Sequence, residues 1–369
     1  MIRVLHVINT LAPGGAETLV TSLCQALPRE GVQPLVAYLF GDGTLGERLK
    51  DHGIGVERLS HGSRPSLFAL PRAVSLIRSR KIDLVHAHLV YAGIVAKIAA
   101  RFTGVPVVMT RHWVSNPKQK TFLFRLDDRL TRRYVSTLIA VGEQVRAAIL
   151  AEKLMPPERV VVLRNAVDVS RFRVKKHEVV EGESFVVGTV GRLEAPKAHG
   201  VFLEAIARLR ETFPGVRGLI AGDGRLRSQL EETRMRLGLE GVVDFVGAIP
   251  AEGIPDFLNS LDVFVLTSNW EGLPMALIEA SASGLPVVGT DVGGVGEVVV
   301  DEVTGYLVPP GNPSEIASRV ACLLKNTELR ATLGVNARHR AETEFDVTRL
   351  AHDTAGLYKA TLGIAPADS

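Results

Sequence analysis

The stretch Phe185-Val186-Val187-Gly188-Thr189-Val190-Gly191-Arg192-Leu193-Glu194-Ala195-Pro196-Lys197 opens the second half of a 369-residue chain. Its first six residues form a Val-rich run, which predicts a strand over 185–190. Gly191 ends the run, and an apolar pattern at helical spacing follows over 198–212. A strand, a charged turn and a helix, in that order, make one unit of a parallel α/β sheet.

The unit recurs in both directions. Ahead of it, strands are predicted at 2–8, 34–39, 83–87, 105–110, 137–141 and 160–163, with helices at 16–28, 66–80, 89–102, 117–134 and 143–153. Behind it, strands are predicted at 216–221, 242–246, 262–266, 286–289 and 305–308. Helices are predicted at 225–237, 274–283, 312–325, 327–343 and 345–361. Val/Ile-rich strands alternating with helices imply parallel sheets covered on both faces. The fold class is therefore α/β, with two Rossmann-like domains facing across a cleft. The expected boundaries are 1–168, a polar linker at 169–183, a second domain at 184–344, and a C-terminal helix and tail at 345–369. That last helix is expected to pack back on the N-terminal domain. In open parallel sheets, ligands sit beyond the carboxyl ends of the strands, so the residues after each strand matter most.

Hydrophobic residues make up 46% and charged residues 22% of the chain, which excludes a disordered or collagen-like protein. The net charge of +3 hides an asymmetry. Residues 1–168 carry 23 Lys/Arg against 13 Asp/Glu, and residues 169–369 carry 20 against 27. Cys24 and Cys322 sit in apolar helical patterns with no metal or redox spacing, so both are expected to be buried in a reducing compartment. The start, Met1-Ile2-Arg3-Val4-Leu5-His6-Val7-Ile8, reads as a strand and not as a signal peptide, and no run of 18 apolar residues occurs. The expected location is cytoplasmic, with peripheral contact at the inner face of the membrane.

Four segments carry chemistry. In Pro13-Gly14-Gly15-Ala16-Glu17, paired glycines between strand and helix leave helix-start amides open to an anion or a sugar, although a tight turn would use them equally well. Arg192 and Lys197 stand at a strand end and a helix start, where a fork and a point charge could together neutralise a diphosphate; two exposed cations are the plainer alternative. Ala221-Gly222-Asp223-Gly224 reads first as a turn. The most specific segment is Ser268-Asn269-Trp270-Glu271-Gly272-Leu273-Pro274-Met275-Ala276-Leu277-Ile278-Glu279-Ala280. Pro274 suits the first helical position and leaves the amides of residues 275–277 for a phosphate. Glu271 lies in the loop. Glu279 lies inside an apolar helix, where a carboxylate can accept from two neighbouring hydroxyls.

Asp83-Leu84-Val85-His86-Ala87-His88 and Met109-Thr110-Arg111-His112-Trp113 end two further strands. A continuing strand is expected to put His86 and His88 on opposite sides. His86 then reads as structural, and His88 and His112 as candidates for substrate. Gly-x-Ser-x-Gly, the P-loop pattern and His-Glu-x-x-His do not occur, and the turn after the first strand is not Gly-x-Gly-x-x-Gly. Asp-x-Asp, which could hold a divalent ion on a diphosphate, is also missing, so no metal or cofactor is expected.

Together these segments resemble the retaining glycosyltransferases of family 4, with the two-Rossmann glycosyltransferase-B fold. The resemblance covers most of the chain. It is carried best by Gly191-Arg192-Leu193…Lys197, Gly222-Asp223-Gly224, the Glu271/Glu279 pair, and Gly293-Gly294…Glu297 before Thr304-Gly305. It implies transfer of a hexosyl unit from a nucleotide diphosphate sugar, by default a UDP-sugar, to an acceptor hydroxyl with retained configuration. It further implies that Arg192 and Lys197 bind the donor diphosphate, Glu271 the transferred sugar and Glu279 the ribose. His112 would meet the donor sugar near the reacting centre. Gly14, Gly15, Gly272, Leu273, Pro274, Met275, Ala276 and Leu277 would line the donor, with the base near 248–251. His88 and Arg111 fall on the acceptor side. Three positions depart from the pattern: Ala198 where a glycine is frequent, Ala166 within Arg164-Asn165-Ala166-Val167-Asp168, and Gly142 where a serine is frequent.

The acceptor is expected to be a glycan, a lipid-linked molecule or a small molecule. Residues 110–135 hold seven Lys/Arg interleaved with Phe122, Leu123, Phe124, Leu126 and Leu130, a pattern suited to an anionic membrane surface or to an ordinary solvated helix. No recognition module for nucleic acid accompanies this charge. A non-catalytic sugar-binding subunit and a nucleotide-sugar epimerase or phosphorylase on the same fold are the competing readings; intact Arg192, Lys197, Glu271, Glu279 and His112 argue against the first, and the motif order against the second.

Overall fold

The computed structural model describes residues 1–60, 68–112, 121–174 and 185–365. The chain divides into two compact units, Met1–Ala166 with Val347–Ser369, and Val167–Asp346. Among the described residues, no helix is long and apolar enough to cross a membrane.

The first unit is built on a seven-stranded parallel sheet in the order β3-β2-β1-β4-β5-β6-β7. Its strands are β1 (Ile2–Ile8), β2 (Val32–Tyr38), β3 (Gly55–Arg58), β4 (Leu84–His88), β5 (Val107–Arg111), β6 (Val135–Ala140) and β7 (Val160–Val162). Helices α1 (Gly15–Ala26), α2 (Thr44–Asp51), α3 (Ala69–Ser79), α4 (Val90–Thr103), α5 (Phe122–Tyr134) and α6 (Glu143–Ala151) connect them. Ile8, Leu11, Val20, Cys24, Val36 and Leu49 form one of its buried clusters. Burying a Leu- or Val-sized side chain contributes roughly 1.5–3 kcal/mol, so such clusters hold the sheet to its helices.

The second unit has a six-stranded parallel sheet in the order β10-β9-β8-β11-β12-β13. Its strands are β8 (Val186–Val190), β9 (Arg217–Ala221), β10 (Val243–Gly247), β11 (Val263–Leu266), β12 (Val287–Thr290) and β13 (Gly305–Val308). Its helices are α7 (His199–Thr212), α8 (Arg227–Arg236), α9 (Ile254–Asn259), α10 (Met275–Ala282), α11 (Val295–Val298), α12 (Pro313–Lys325) and α13 (Thr327–Glu344). The final helix, α14 (Val347–Thr361), packs on α1 of the first unit and places Tyr358 in its core. Two parallel Rossmann-like sheets are thus the fold, as the strand–helix alternation predicts.

Several local expectations change. β3 is an additional edge strand, and α2, α9 and α11 are short helices that the periodicity does not predict. Cys322 is exposed and only Cys24 is buried, because Cys322 falls on the outer side of α12. Burial pushes the Cys24 thiol up, so it is inert as a nucleophile.

α5 also departs from an ordinary amphipathic helix. Its buried positions are Asp127, Asp128 and Thr131. Lys97 of α4, fully buried, pairs with Asp127 and donates to Thr131 Oγ1 at 2.8 Å. Phe122 is 77% exposed, and Leu123, Arg125, Arg129, Arg132 and Arg133 are exposed with it. The predicted helix residues 117–120, including Lys118 and Lys120, lie outside the described residues, as does most of the expected linker.

Candidate active site

In each sheet the strand order reverses once. In the second unit the reversal falls between β8 and β11, which are hydrogen-bonded neighbours. The carboxyl ends of strands at such a switch point form a natural ligand crevice. The loops leaving these two strands are 191–198 and 267–274, the two segments singled out from sequence.

The loops are tied together. Thr267 Oγ1 donates to Lys197 O at 2.9 Å, and Asn269 N donates to Pro196 O at 2.7 Å. Lys197 Nζ reaches Glu271 Oε1 at 2.6 Å, and Ser268 Oγ donates to the same oxygen at 2.6 Å. Lys197, expected on the diphosphate, is here paired with the Glu271 carboxylate. Arg192 is exposed, and its guanidinium makes no hydrogen bond or ion pair among the described residues.

Glycines hold both loops in place by backbone-on-backbone packing. Gly293 has φ +52, and a Cβ there would lie 2.1 Å from Glu271 O; a Cβ at Gly294 would lie 2.2 Å from Gly272 O. Gly294 N donates to Gly272 O at 2.8 Å. Gly222 has φ +141 and sits equally close to Gly191 O, at 2.0 Å for an added Cβ. Gly222-Asp223-Gly224 is thus the support beneath Gly191-Arg192-Leu193, and Asp223 O accepts from Leu193 N at 2.9 Å. Ala198, at the departure from the family pattern, has φ 47 and ψ 42, a left-handed conformation that favours glycine.

The start of α10 differs from expectation by one residue. Pro274 is its N-cap, not its first helical residue, and Met275 begins the helix. Leu277 N already donates to Pro274 O at 3.2 Å, so the amides left without a partner among the described residues are those of Met275 and Ala276. Two open amides at the positive end of a helix have the polarity that suits an anion. Glu279, on the same helix, is partly buried, and its carboxylate has no hydrogen-bond partner among the described residues. Burial raises its pKa to about 7, against an opposing pull from Arg171. Arg171 also donates to Ala251 O at 2.8 Å, which steadies the turn at 248–251.

In the first unit, the strand order reverses between β1 and β4. Gly14 caps α1 in an extended conformation and Gly15 begins the helix. His88 and His112 end β4 and follow β5, but they are not equivalent. His88 is 1% exposed and stands behind His112, with Nδ1 of His88 and Nε2 of His112 3.4 Å apart. His88 therefore takes no acceptor-facing position. The expected sidedness is corrected too: residues two apart in a strand share a face, and the His86 and His88 rings lie 4.1 Å apart. Arg111 is buried, 3.1 Å from Asp128 and 3.9 Å from Glu152, so its charge is committed inside the unit and not offered to an acceptor.

Sequence reading passed over His6 and Tyr358. The register pairs His6 directly with His86 across β1 and β4. His6 Nδ1 meets His88 Nε2 at 3.2 Å, and Tyr358 Oη lies 2.6 Å from His86 Nδ1 and 3.4 Å from His6 Nε2. His86 Nε2 meets Thr110 Oγ1 at 2.7 Å. His6, His86 and His88 are close enough together to resemble a metal site. Their ring nitrogens are instead spent on one another, Tyr358, Thr110 and His112, and among the described residues no carboxylate bonds to them to balance a cation. Burial holds His6 down to about pKa 3 and His112 to about 4, and lowers His86 and His88 as well, so all four rings are neutral at pH 7. A polar residue breaking the apolar run of the central strand β1 is the signal that could have found His6.

Comparison with known proteins fits this geometry. Residues 170–340 match the model described as glycosyl transferases group 1, and residues 13–171 match glycosyltransferase family 4. D-inositol 3-phosphate glycosyltransferase 2 of Catenulispora acidiphila is 30% identical over 76% of this chain and 71% of its own. UDP-Gal:alpha-D-GlcNAc-diphosphoundecaprenol alpha-1,3-galactosyltransferase of Escherichia coli is 29% identical, covering 77% and 76%. Among solved structures, Anabaena HepE in complex with UDP-glucose superposes with a TM-score of 0.86 at 26% identity, covering 98% of this chain and 100% of that one. The chain belongs to the group 1/family 4 glycosyltransferases of the glycosyltransferase-B fold.

Proposed function

We propose that this glycosyltransferase moves a hexosyl unit from a nucleotide diphosphate sugar, a UDP-sugar by default, to an acceptor hydroxyl with retained configuration and no metal. The observation that carries this reading is the switch point between β8 and β11. The Arg192 guanidinium, Lys197, and the amides of Met275 and Ala276 stand on the loops leaving these two strands, with the Glu279 carboxylate further along α10. The leaving diphosphate gains negative charge as the glycosidic bond breaks, and preorganised cations and amides stabilise that charge. Lys197 exchanges Glu271 for the diphosphate, which frees Glu271 to position the sugar. Glu279 accepts from the ribose hydroxyls, and His112 contacts the donor sugar. HepE in complex with UDP-glucose supports the donor class.

The test is nucleotide release with UDP-Glc, UDP-GlcNAc, GDP-Man and ADP-Glc, with the anomeric configuration of the product read by NMR. Arg192→Ala and Lys197→Ala should each lower turnover by about 10²–10³, by analogy with removing one oxyanion donor. Wild-type turnover in both would overturn the diphosphate assignment.

The acceptor reading, a glycan, lipid-linked or small molecule, rests on the basic first unit and on α5. Its inverted exposure, with Phe122, Leu123 and four arginines outward, suits a peripheral protein at an anionic cytoplasmic membrane surface. Flotation with anionic vesicles should show binding that weakens with salt and with Arg129→Glu/Arg133→Glu. Equal binding to neutral vesicles, or none to anionic ones, would remove this part of the reading.

A further inference from the structure

The buried cluster of the first unit is a single hydrogen-bonded chain, Thr110–His86–Tyr358–His6–His88–His112. Each neutral ring holds one proton and one bare nitrogen, and the buried Tyr358 hydroxyl, placed between His86 and His6, leaves its own proton unbonded unless it donates to one of them and accepts from the other. A neutral imidazole donates from one nitrogen and accepts at the other. Choosing the direction of any one bond therefore fixes all the others. Two polarities exist, and they leave His112 in opposite states.

In the first, Tyr358 donates to His86 Nδ1, and His86 then donates through Nε2 to Thr110 Oγ1. His6 donates back to Tyr358, His88 to His6, and His112 to His88. The other nitrogen of His112, Nδ1, is then a bare acceptor. In this arrangement the buried Thr110 hydroxyl proton has no acceptor, because Thr110 has no further partner among the described residues. A buried donor left unmade is the costly defect in such networks.

In the second polarity Thr110 donates to His86 Nε2, His86 Nδ1 donates to Tyr358, and Tyr358 donates to His6 Nε2. His6 Nδ1 then donates to His88 Nε2, and His88 Nδ1 donates to His112 Nε2. No fully buried donor in the chain is orphaned; the one proton left without a partner among the described residues is on His112, which is part-exposed where Thr110 is buried. His112 carries its proton on Nδ1, a nitrogen with no partner among the described residues.

We propose that Tyr358 of α14 is a positioning residue that locks His112 in the Nδ1–H tautomer through His6 and His88. His112 then meets the donor sugar as a hydrogen-bond donor and not as a base. This role in transfer rests on the assignment of His112 to the donor sugar; the tautomer itself does not. The depressed pKa values of the four rings agree with it, since a charged ring would have two donors and break the sequence of bonds.

The test uses the full-length, ligand-free protein with ¹⁵N-labelled histidine. Two-bond ¹H–¹⁵N correlation spectra at neutral pH report the tautomer of each ring, and single His→Gln variants assign the signals. His6, His86, His88 and His112 should all show Nδ1 protonation. Tyr358→Phe keeps the ring and cuts the chain, so His112 should move to an average of both tautomers. Thr110→Ser should keep the wild-type pattern and Thr110→Val should lose it, which tests the opposite end of the chain should Tyr358→Phe fail to fold. In turnover, Tyr358→Phe should lower kcat about tenfold, one hydrogen bond's worth, with little change in donor KM. An Nε2–H tautomer of His112 in the wild type overturns the proposal, as does a His112 signal unmoved by either broken chain. If His112→Ala keeps full turnover while the wild-type pattern is as expected, the donor-sugar assignment falls and the relay stands.

Discussion

Glu279→Gln should make the ligand-free protein more stable at pH 8 while weakening its hold on the nucleotide. Burial lifts the Glu279 pKa from 4.5 to about 7. The folded state therefore binds this proton more tightly than the unfolded chain does, and ionisation works against folding. The penalty is absent below pH 4.5, grows between 4.5 and 7, and is complete above 7. At ~1.4 kcal/mol per pH unit, its ceiling is roughly 3 kcal/mol; partial exposure of the side chain to water brings the expected gain to about 1–3 kcal/mol. Glutamine keeps the shape and removes the charge. Urea denaturation of both proteins at pH 8 and pH 5 measures the effect: the variant should lead by this margin at pH 8 and lose most of the lead at pH 5. Nucleotide affinity should fall by about 10–100-fold, as expected when hydrogen bonds to a charged acceptor are lost. A stability gap equal at both pH values, or a variant less stable at pH 8, would refute the reasoning. In the wild type, donor affinity should weaken as pH drops through 7, measured by titration calorimetry.

Gly293→Ala should lower donor kcat/KM by at least about 10², because its Cβ would strike Glu271 O and its φ is positive; steady-state kinetics on the folded fraction checks this. Ala198→Gly should raise stability by up to about 1 kcal/mol, since the left-handed backbone beside Lys197 no longer opposes a Cβ; the measurement is thermal unfolding. Lys97→Met should destabilise by about 3–5 kcal/mol by stranding the buried Asp127 charge, and Lys97→Met/Asp127→Leu should recover most of that loss in chemical denaturation.

The two sheets are legible in the sequence because buried parallel strands read as continuous apolar runs, as 263–266 and 160–162 do. β3 is not legible. Gly55-Val56-Glu57-Arg58 is an edge strand, half in water, with no apolar run to mark it. The loops after β8 and β11 are legible because Arg, Lys and paired Glu in glycine-rich contexts have few structural uses. Their conformation is not: that Lys197 grips Glu271, and that Gly293 presses on Glu271 O, depends on contacts 74 residues apart in one case and on a left-handed backbone in the other. Arg111 and His88 illustrate the same limit. Both stand at strand ends, yet Asp128 and His6, remote in sequence, turn them inward. Tyr358 lies 272 residues from its nearest bonded partner, His86, and no local pattern connects them.

The return of α14 to the first unit also orders events during synthesis. The second unit is one unbroken segment, Val167–Asp346, and can fold once its last strand and helices have left the ribosome. The first unit begins earlier but is completed later, because α14 and its buried Tyr358 are made only after the whole of the second unit. Until then α1 lacks its partner helix and the histidine chain lacks its middle link. A nascent chain stalled before residue 347 would thus carry a finished second unit behind an unfinished first one.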